Sequence, residues 1–387
     1  MLSVNRDALQ LYVTKGQHEA WQHELAQLRL NYSEIATLDH SFVASLENKA
    51  RIYPTILPTQ ASGRWSYLNP PLSGFPKKCI NPACPVGHHS RTKDCWDMRD
   101  CFLPDDGTFW IEFDLDAIEH KIYCLILDWK ERLSDMATGI DIHTPVTCQL
   151  FQLPLPSNLQ DPHTAPEDAT WRETVHWQGK DDPRRTMSKN FTYGAQYFYV
   201  QLARGSTKPR LPRRQYRGLL YNPEFVYSIP HIQSYRIPNS VGELVVPDYL
   251  QLAIRFVESN SEIQRRKALW MEKICREKVV RTLYGGRRLF WLANEDTAKV
   301  GFNHIMQGTV ASYINETAIL LQKAFPESYL VHNKHDSLKW AFPYLSCSTI
   351  EQERQRATTL GLVKKHVERS LSYQDRSIKV TATFKII

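Results

Sequence analysis

Asp114 and Asp116 close an apolar segment, Trp110-Ile-Glu-Phe-Asp-Leu-Asp116, whose Trp110, Ile111, Phe113 and Leu115 predict a buried strand. Carboxylates are costly at the end of such a strand unless something positive meets them. When a strand-end carboxylate faces a second acidic turn from far along the chain, the two can clamp a pair of hard cations. The sequence offers such a turn. Tyr329-Leu-Val-His-Asn-Lys-His335-Asp336-Ser337-Leu-Lys-Trp340 reads as strand, polar turn and strand, with Asp336 at the tip of the hairpin. Each motif alone also has a plainer reading: an Asp capping a strand–helix junction, and an ordinary turn Asp.

A third group suits a polyanionic ligand. Arg185, Lys189, Tyr193 and Tyr197 recur every four residues in a helical stretch. Steps of four advance about 40° around a helix, so the four side chains share a face roughly 120° wide. Two cations followed by two rings make a ladder for a triphosphate and then a sugar and base, where a core helix would carry aliphatic residues. Gly194 within this helix suggests the close approach of something flat. The plainer alternative is an exposed basic helix with incidental tyrosines.

Cys79-x4-Cys84-x3-His88-His89-x5-Cys95 supplies ligand types for a structural zinc ion, through Cys79, Cys84, His88 and Cys95, without the tight Cys-x2-Cys knuckle. The alternative is a reduced surface loop. Basic residues crowd two stretches, Arg204 to Arg217 and Arg265 to Arg288, within a net charge of +7. That excess permits a polyanionic partner without requiring one.

These groups need elements to hold them. A helix is expected over Asp7 to Glu47, extended and turn-rich chain over Arg51 to Pro76, and a strand through Leu115. The next helix carries Ile118, Ile122, Leu125 and Trp129 on one face. Further helices are expected over Thr186 to Leu202, Asp248 to Arg281, Asp296 to Ala324 and Ile350 to Leu371, with an irregular excursion over Lys208 to Pro247. A hairpin is expected over Thr282 to Phe290, and a last strand over Ile378 to Ile386. Mixed order of helices and antiparallel strands predicts an α+β fold. Hydrophobic residues make up 42% of the chain, enough for a substantial core. No apolar stretch approaches a membrane span and no signal-peptide core is evident, so a soluble intracellular protein without a membrane partner is expected. Eight dispersed cysteines do not suggest a secreted disulfide scaffold.

Taken together, the motifs resemble those of the family A, DNA polymerase I-like, DNA polymerases. Phe113 to Lys121 is similar to that family's D-Y-S-x-I-E-x-R element, with Asp114, Ile118 and Glu119 in register, and Asp141-Ile-His-Thr144 is similar to its D-I-H-T. The Arg185, Lys189, Tyr193 and Tyr197 face resembles its nucleotide-binding finger helix. Asn303-His-Ile-Met-Gln307-Gly308 resembles N-x-P-I-Q-G, and His335-Asp336 the H-D-E turn. Ser62-Gly-Arg64-Trp-Ser and Asn69 to Pro76 look like the T-G-R-L-S and N-P-N-L-Q-N-I-P segments, and Thr282 to Arg288 like T-x-x-G-R-R. The matches fall in family order along most of the chain. Departures are Asp116 in place of Ser, Lys121 in place of Arg, Phe198 after Tyr197 where the family has Gly, and Ser337 after the turn Asp, as in single-subunit RNA polymerases.

The resemblance implies a right-hand architecture, with an antiparallel palm sheet, helical fingers and a partial helical thumb. It assigns 1–60 to the thumb, 61–150 to the first part of the palm with a Cys/His insertion at 77–98, 151–265 to the fingers, and 266–387 to the rest of the palm. No exonuclease domain is expected in this chain. The implied function is extension of a primer on a DNA template with dNTPs, by two-metal-ion phosphoryl transfer. Asp114 and Asp336 would hold two Mg²⁺. Arg185, Lys189 and His143 would meet the triphosphate, with Lys189 also donating a proton to pyrophosphate. Tyr193 would stack on the incoming nucleotide, and Glu119, paired with Tyr197, would exclude a ribose 2′-hydroxyl. Arg64, Lys299, Asn303, Gln307 and His335 would contact primer–template DNA. A cellular location is implied wherever the replicated genome resides, and replication partners are left unspecified. Two alternatives stay open: a single-subunit-type RNA polymerase, suggested by Ser337, and a catalytically silent nucleic-acid-binding relative.

Overall fold

The structure is a computed structural model that describes residues 24–25, 28–29, 51–58, 60–72, 102–157, 159, 169–177, 182, 184–185, 188–189, 192–193, 234–239, 242–247, 260–292, 294–346 and 348–387. The chain order is β1 (Thr55–Leu57), β2 (Ser66–Leu68), β3 (Thr108–Leu115), α1 (Ile118–Leu127), α2 (Lys130–Ala137), α3 (His143–Phe151) and α4 (Ala169–Val175). There follow β4 (Ser234–Asn239), β5 (Gly242–Pro247), α5 (Ser261–Glu277), β6 (Val279–Arg281), β7 (Arg287–Leu289) and α6 (Glu295–Ala324). The chain closes with β8 (Tyr329–Lys334), β9 (Ser337–Pro343), α7 (Thr349–Val367), β10 (Ser370–Tyr373), β11 (Arg376–Lys379) and β12 (Ala382–Ile386). Helices and antiparallel sheets are mixed, as the sequence pattern predicts. Chain contacts divide it into two compact units: Met1–Ser33, His120–Val280 and Arg288–Asn303 form one, and Glu34–Glu119, Arg281–Arg287 and His304–Ile387 the other.

The second unit is built on a four-stranded antiparallel sheet ordered β12-β3-β9-β8. Alternation decides its two faces. Phe109, Ile111, Phe113 and Leu115 of β3 are buried on one face, opposite Phe342, Trp340 and Leu338 of β9. Residues just after α6 and on α7 cover that face: Phe325 meets Phe342 edge-on at 5.2 Å, and Lys364 of α7 lies over Phe384 of β12 at 5.3 Å. Tyr313 of α6 is buried and donates its hydroxyl to the Val367 carbonyl at 2.6 Å, tying α6 to the end of α7. The other face carries the buried pair Trp110 and Ala341 and turns polar toward the Asp114 end of β3. Asp114 is aligned there with Ser337 and Thr383, and Glu112 with Lys339 and Lys385. Lys339 pairs with Glu112 at 3.5 Å.

In the first unit Ile122, Leu125 and Leu127 of α1 are buried, as are Met271 and Ile274 of α5 and Phe302 of α6. Tyr123 meets the Phe302 ring edge-on at 6.0 Å. Arg266 of α5 donates to the carbonyls of Leu127 and Asp128 at 3.0 and 2.7 Å, satisfying backbone acceptors that the end of α1 leaves open.

Several expected boundaries are corrected. The first helix stops at Leu127 and leaves Trp129 outside it, because Asp128 turns left-handed at φ 54°. The helix expected to reach Arg281 ends at Glu277. Lys278 takes φ 55°, and the β-branched pair Val279-Val280 enters a strand paired with β7. The last helix ends at Val367 rather than Leu371, and Ser370–Tyr373 pairs with Arg376–Lys379 in a hairpin turned at Gln374, φ 56°. What was expected as one terminal strand is therefore two. The excursion expected to be irregular contains the β4–β5 hairpin. Much of the expected first helix, and the Cys/His loop with Cys79, Cys84, His88 and Cys95, lie outside the described residues.

Candidate functional site

In the second unit β3 ends at Leu115 and the hairpin β8–β9 turns at His335-Asp336, and the two ends are brought together. Asp114 stands opposite Ser337 in the β3–β9 register, and the Leu115 N–H donates to the Asp336 carbonyl at 3.0 Å. Asp336, in the turn one residue before β9, is thus diagonal to Asp114. Asp114 is exposed and Asp336 half-buried. Left-handed, non-glycine residues sit at both ends: Ala117 at φ 47° and His335 at φ 58°. Each costs on the order of 1 kcal/mol, a local strain that the surrounding sheet must hold. Asp116, one residue beyond the strand, accepts the Thr383 hydroxyl at 2.9 Å, which ties it to β12.

Glu119, in the first turn of α1, is half-buried and ion-paired with Arg64, which enters from the segment after β1. Burial raises the Glu119 carboxyl and the Asp336 charge raises it further, while the Arg64 guanidinium pulls it down. Arg64 is positioned by a close packing of small residues. Gly63 takes φ 76° beside Ala311, and Gly308 leaves so little room that a Cβ there would lie 2.7 Å from Thr282 Cγ2 and 3.4 Å from the Ser62 carbonyl oxygen. Along α6, Lys299, Asn303 and Gln307 recur every four residues and are each half-buried. The Asn303 Oδ1 is buried without a hydrogen-bond partner among the described residues.

In the first unit a second group gathers. Arg184, Arg185, Ser188, Lys189, Thr192 and Tyr193 are helical, and the spacing predicted for the basic face is kept through Tyr193. Tyr197 lies outside the described residues. Arg185 Nε and Nη2 donate to the two carboxylate oxygens of Asp141 at 3.0 and 2.9 Å. The same carboxylate accepts the backbone N–H groups of His143 and Thr144 at 3.2 and 3.1 Å, serving the open N-terminus of α3. Burial alone would raise the Asp141 carboxyl. Arg185 and the Thr144 hydroxyl overcome that and hold it at about 2. Burial pushes the His143 imidazole down to about 3 despite the pull of Asp141, with Arg185, His120 and Lys189 adding to the shift. It is therefore neutral at neutral pH, able to donate a hydrogen bond but not to act as a cation. The His143 ring lies 5.9 Å from that of Tyr193, and exposed Lys189 places its Nζ 5.8 Å from the Tyr193 ring centre.

Sequence reasoning missed two roles. Asp141 was legible only as part of a motif, yet an Asp just before a helical His-Thr is a capping signal. The Arg64–Glu119 pair joins residues far apart in sequence, for which no periodic pattern exists.

The donors at Asp114 and Asp336 fit a hard divalent ion. Among the described residues no group of three or more His, Cys, Asp or Glu side chains gathers at one point. Two carboxylates suffice for Mg²⁺, which keeps several waters and takes substrate phosphate oxygens as its remaining ligands. No helix among the described residues is long and apolar enough to cross a membrane.

No protein-family model matches the sequence, and no curated protein matches it significantly. Among solved structures the chain is similar to the POL domain of Pol1 from M. smegmatis in complex with DNA primer-template and dNTP. The TM-score is 0.62 and the identity 18%, over 98% of this chain and 55% of that one. The chain thus spans little more than half the length of that structure, and what the two share is the fold of a polymerase domain.

Proposed function

We propose that this chain is a template-directed DNA polymerase that extends a primer 3′-hydroxyl with dNTPs. The observation that carries this reading is the meeting of Asp114, near the end of β3, with Asp336, in the turn that leads into the adjacent strand β9. The fold shared with a polymerase domain bound to primer-template and dNTP supports it. In this reading the family is that of DNA polymerase I. Residues 61–150 and 266–387 are palm, 151–265 fingers and 1–60 a partial thumb.

The 3′-hydroxyl attacks the α-phosphorus of the bound dNTP, and pyrophosphate leaves. Asp114 and Asp336 would hold two Mg²⁺, which when bound acidify the hydroxyl and neutralise the leaving phosphates. Arg185, held in a fixed fork by Asp141, and Lys189 supply the positive charge that the triphosphate needs, and Lys189 is the proton donor to pyrophosphate. Neutral His143 donates a hydrogen bond. Tyr193 stacks on the nucleotide, and Tyr197 is the further nucleotide-binding residue of this motif. Glu119, oriented by Arg64, fills the space a ribose 2′-hydroxyl would need. Lys299, Asn303, Gln307 and His335 track the primer–template without reading its sequence. We also propose a structural zinc at Cys79, Cys84, His88 and Cys95, which metal analysis of the purified chain tests.

Primer extension on a primed DNA template with Mg²⁺, comparing dNTPs with NTPs, tests the reading. Wild-type protein extends with dNTPs, and Asp114→Asn or Asp336→Asn abolishes extension while primer–template binding persists. Extension with NTPs as readily as dNTPs would favour a single-subunit-type RNA polymerase. DNA binding without any extension would favour a silent relative.

A further inference from the structure

Trp291 is 95% exposed, while every other tryptophan among the described residues is buried or half-buried. The apolar side chains beside it are also in water: Leu289 is 62% and Leu292 70% exposed. A frayed loop could produce this, but the segment is pinned on both sides. Before Trp291, the Phe290 N–H donates to the Lys278 carbonyl at 2.9 Å, closing the strand pair. After it, Cys275 Sγ of α5 donates to the Asn294 carbonyl at 3.4 Å, and Asn294 Oδ1 accepts the Thr297 N–H at 2.8 Å at the start of α6. Trp291 is held outward by structure on either side.

Its surroundings are basic. Lys278, whose carbonyl receives the Phe290 N–H, is exposed, as are Lys273 and Arg276 on the last turns of α5. Arg288 lies over the Phe290 ring, 5.3 Å from its centre. Glu272 and Glu277 near the end of α5 and Glu295 and Asp296 at the start of α6 are the acidic residues of this stretch; Glu277 lies 3.6 Å from Arg276, and Lys273, Arg276, Lys278, Arg281, Arg287 and Arg288 leave positive charge in excess. A purely apolar partner would gain nothing from the cations, and a rigid duplex would present phosphates without a ring face. A strand whose bases are unpaired offers both phosphates and flat faces, which is the pairing that single-strand binders exploit with aromatic platforms in basic grooves.

We propose that Trp291, with Lys278, Arg276 and Arg288, forms a stacking site for unpaired nucleic acid, apart from the carboxylates of the sheet. The site depends neither on Mg²⁺ nor on nucleotide.

The test is equilibrium binding of the full chain to fluorescein-labelled oligo(dT) and to a blunt duplex of equal length, without Mg²⁺. Trp291→Ala is expected to weaken oligo(dT) binding about tenfold, within the range that loss of one base stack produces. Trp291→Phe should keep most of the affinity, and both variants should bind the duplex within about twofold of wild type and melt at the wild-type temperature. Oligo(dT) binding unchanged in Trp291→Ala would overturn the proposal and leave the patch to a protein partner. Equal loss for oligo(dT) and duplex would overturn it too, since charge alone would then explain binding. Should wild-type protein fail to extend primers while the Trp291 dependence holds, the stacking site stands and the polymerase reading falls.

Discussion

In the proposed polymerase, Glu119 is the side chain that would decide between two chemistries. Its carboxylate is held by Arg64, and burial together with Asp336 makes its charge costly to keep. If it excludes a 2′-hydroxyl by occupying space, Glu119→Gln should preserve sugar discrimination and Glu119→Ala should lose it. The expected shift in the ratio of kcat/KM for dNTP over NTP is roughly thirtyfold, about 2 kcal/mol. Discrimination lost equally in both variants would point to charge rather than bulk. Lys267 poses a different residue-scale problem. It is 1% exposed, its Nζ lies 5.6 Å from the Phe302 ring centre, and burial followed by the nearby Lys299 charge pushes it down to about 7. The folded state therefore binds this proton less tightly than the unfolded chain does. That cost is complete below about pH 7 and relieved as pH rises toward the unfolded value near 10. Lys267→Met should be more stable than wild type near neutral pH by at least about 1 kcal/mol, with the gap narrowing as pH rises toward about 10, as denaturant melts would record. At this scale the sequence was informative about residue types but not about pairings. Asp114, Asp336 and the Arg185 ladder stood out by period and turn position. The partners of Arg185 and Glu119 could not, because contacts between distant segments leave no local signature.

Elements were legible where one face alternates cleanly, and less so where a local pattern ran past a tertiary stop. The strand β3 and the helix α6 came out at nearly their observed bounds. The ends of α5 and α7 did not, because apolar periodicity continued through residues that a partner strand claimed. The junction of α6 with the segment carrying Arg64 shows what holds one functional element in place. Gly308 is packed under Thr282, whose Oγ1 accepts the Gly286 N–H at 3.0 Å, and under the Ser62 carbonyl. Gly308→Ala must push Thr282 Cγ2 or the Ser62 backbone away, with an expected loss of about 1–3 kcal/mol in denaturant melts. Removing the offending methyl while keeping the hydroxyl gives a specific rescue. The double variant Gly308→Ala with Thr282→Ser should recover most of that loss, and Thr282→Ser alone should be nearly neutral. A double variant no better than Gly308→Ala would place the strain at Ser62 instead.

At the scale of the whole chain, charge separates binding from chemistry. The net charge of +7 rests on lysines and arginines gathered in a few stretches, while the candidate catalytic groups are carboxylates that repel a phosphate backbone. Affinity for primer–template should therefore come from phosphate contacts that release counterions, with log affinity falling linearly in log salt at about −0.9 per phosphate neutralised. If about four phosphates are engaged, a fourfold rise in salt should weaken binding roughly a hundredfold. Asp114→Asn removes a negative group and no phosphate contact. Its salt slope should match wild type, with affinity equal or slightly higher, although its extension is lost. Titrating both proteins with a fluorescent primer–template across a salt series separates the possibilities. Parallel lines place Asp114 in chemistry alone. A shallower line for the variant would mean that the carboxylate organises cations that grip the DNA, and that the sheet's polar face binds as well as reacts.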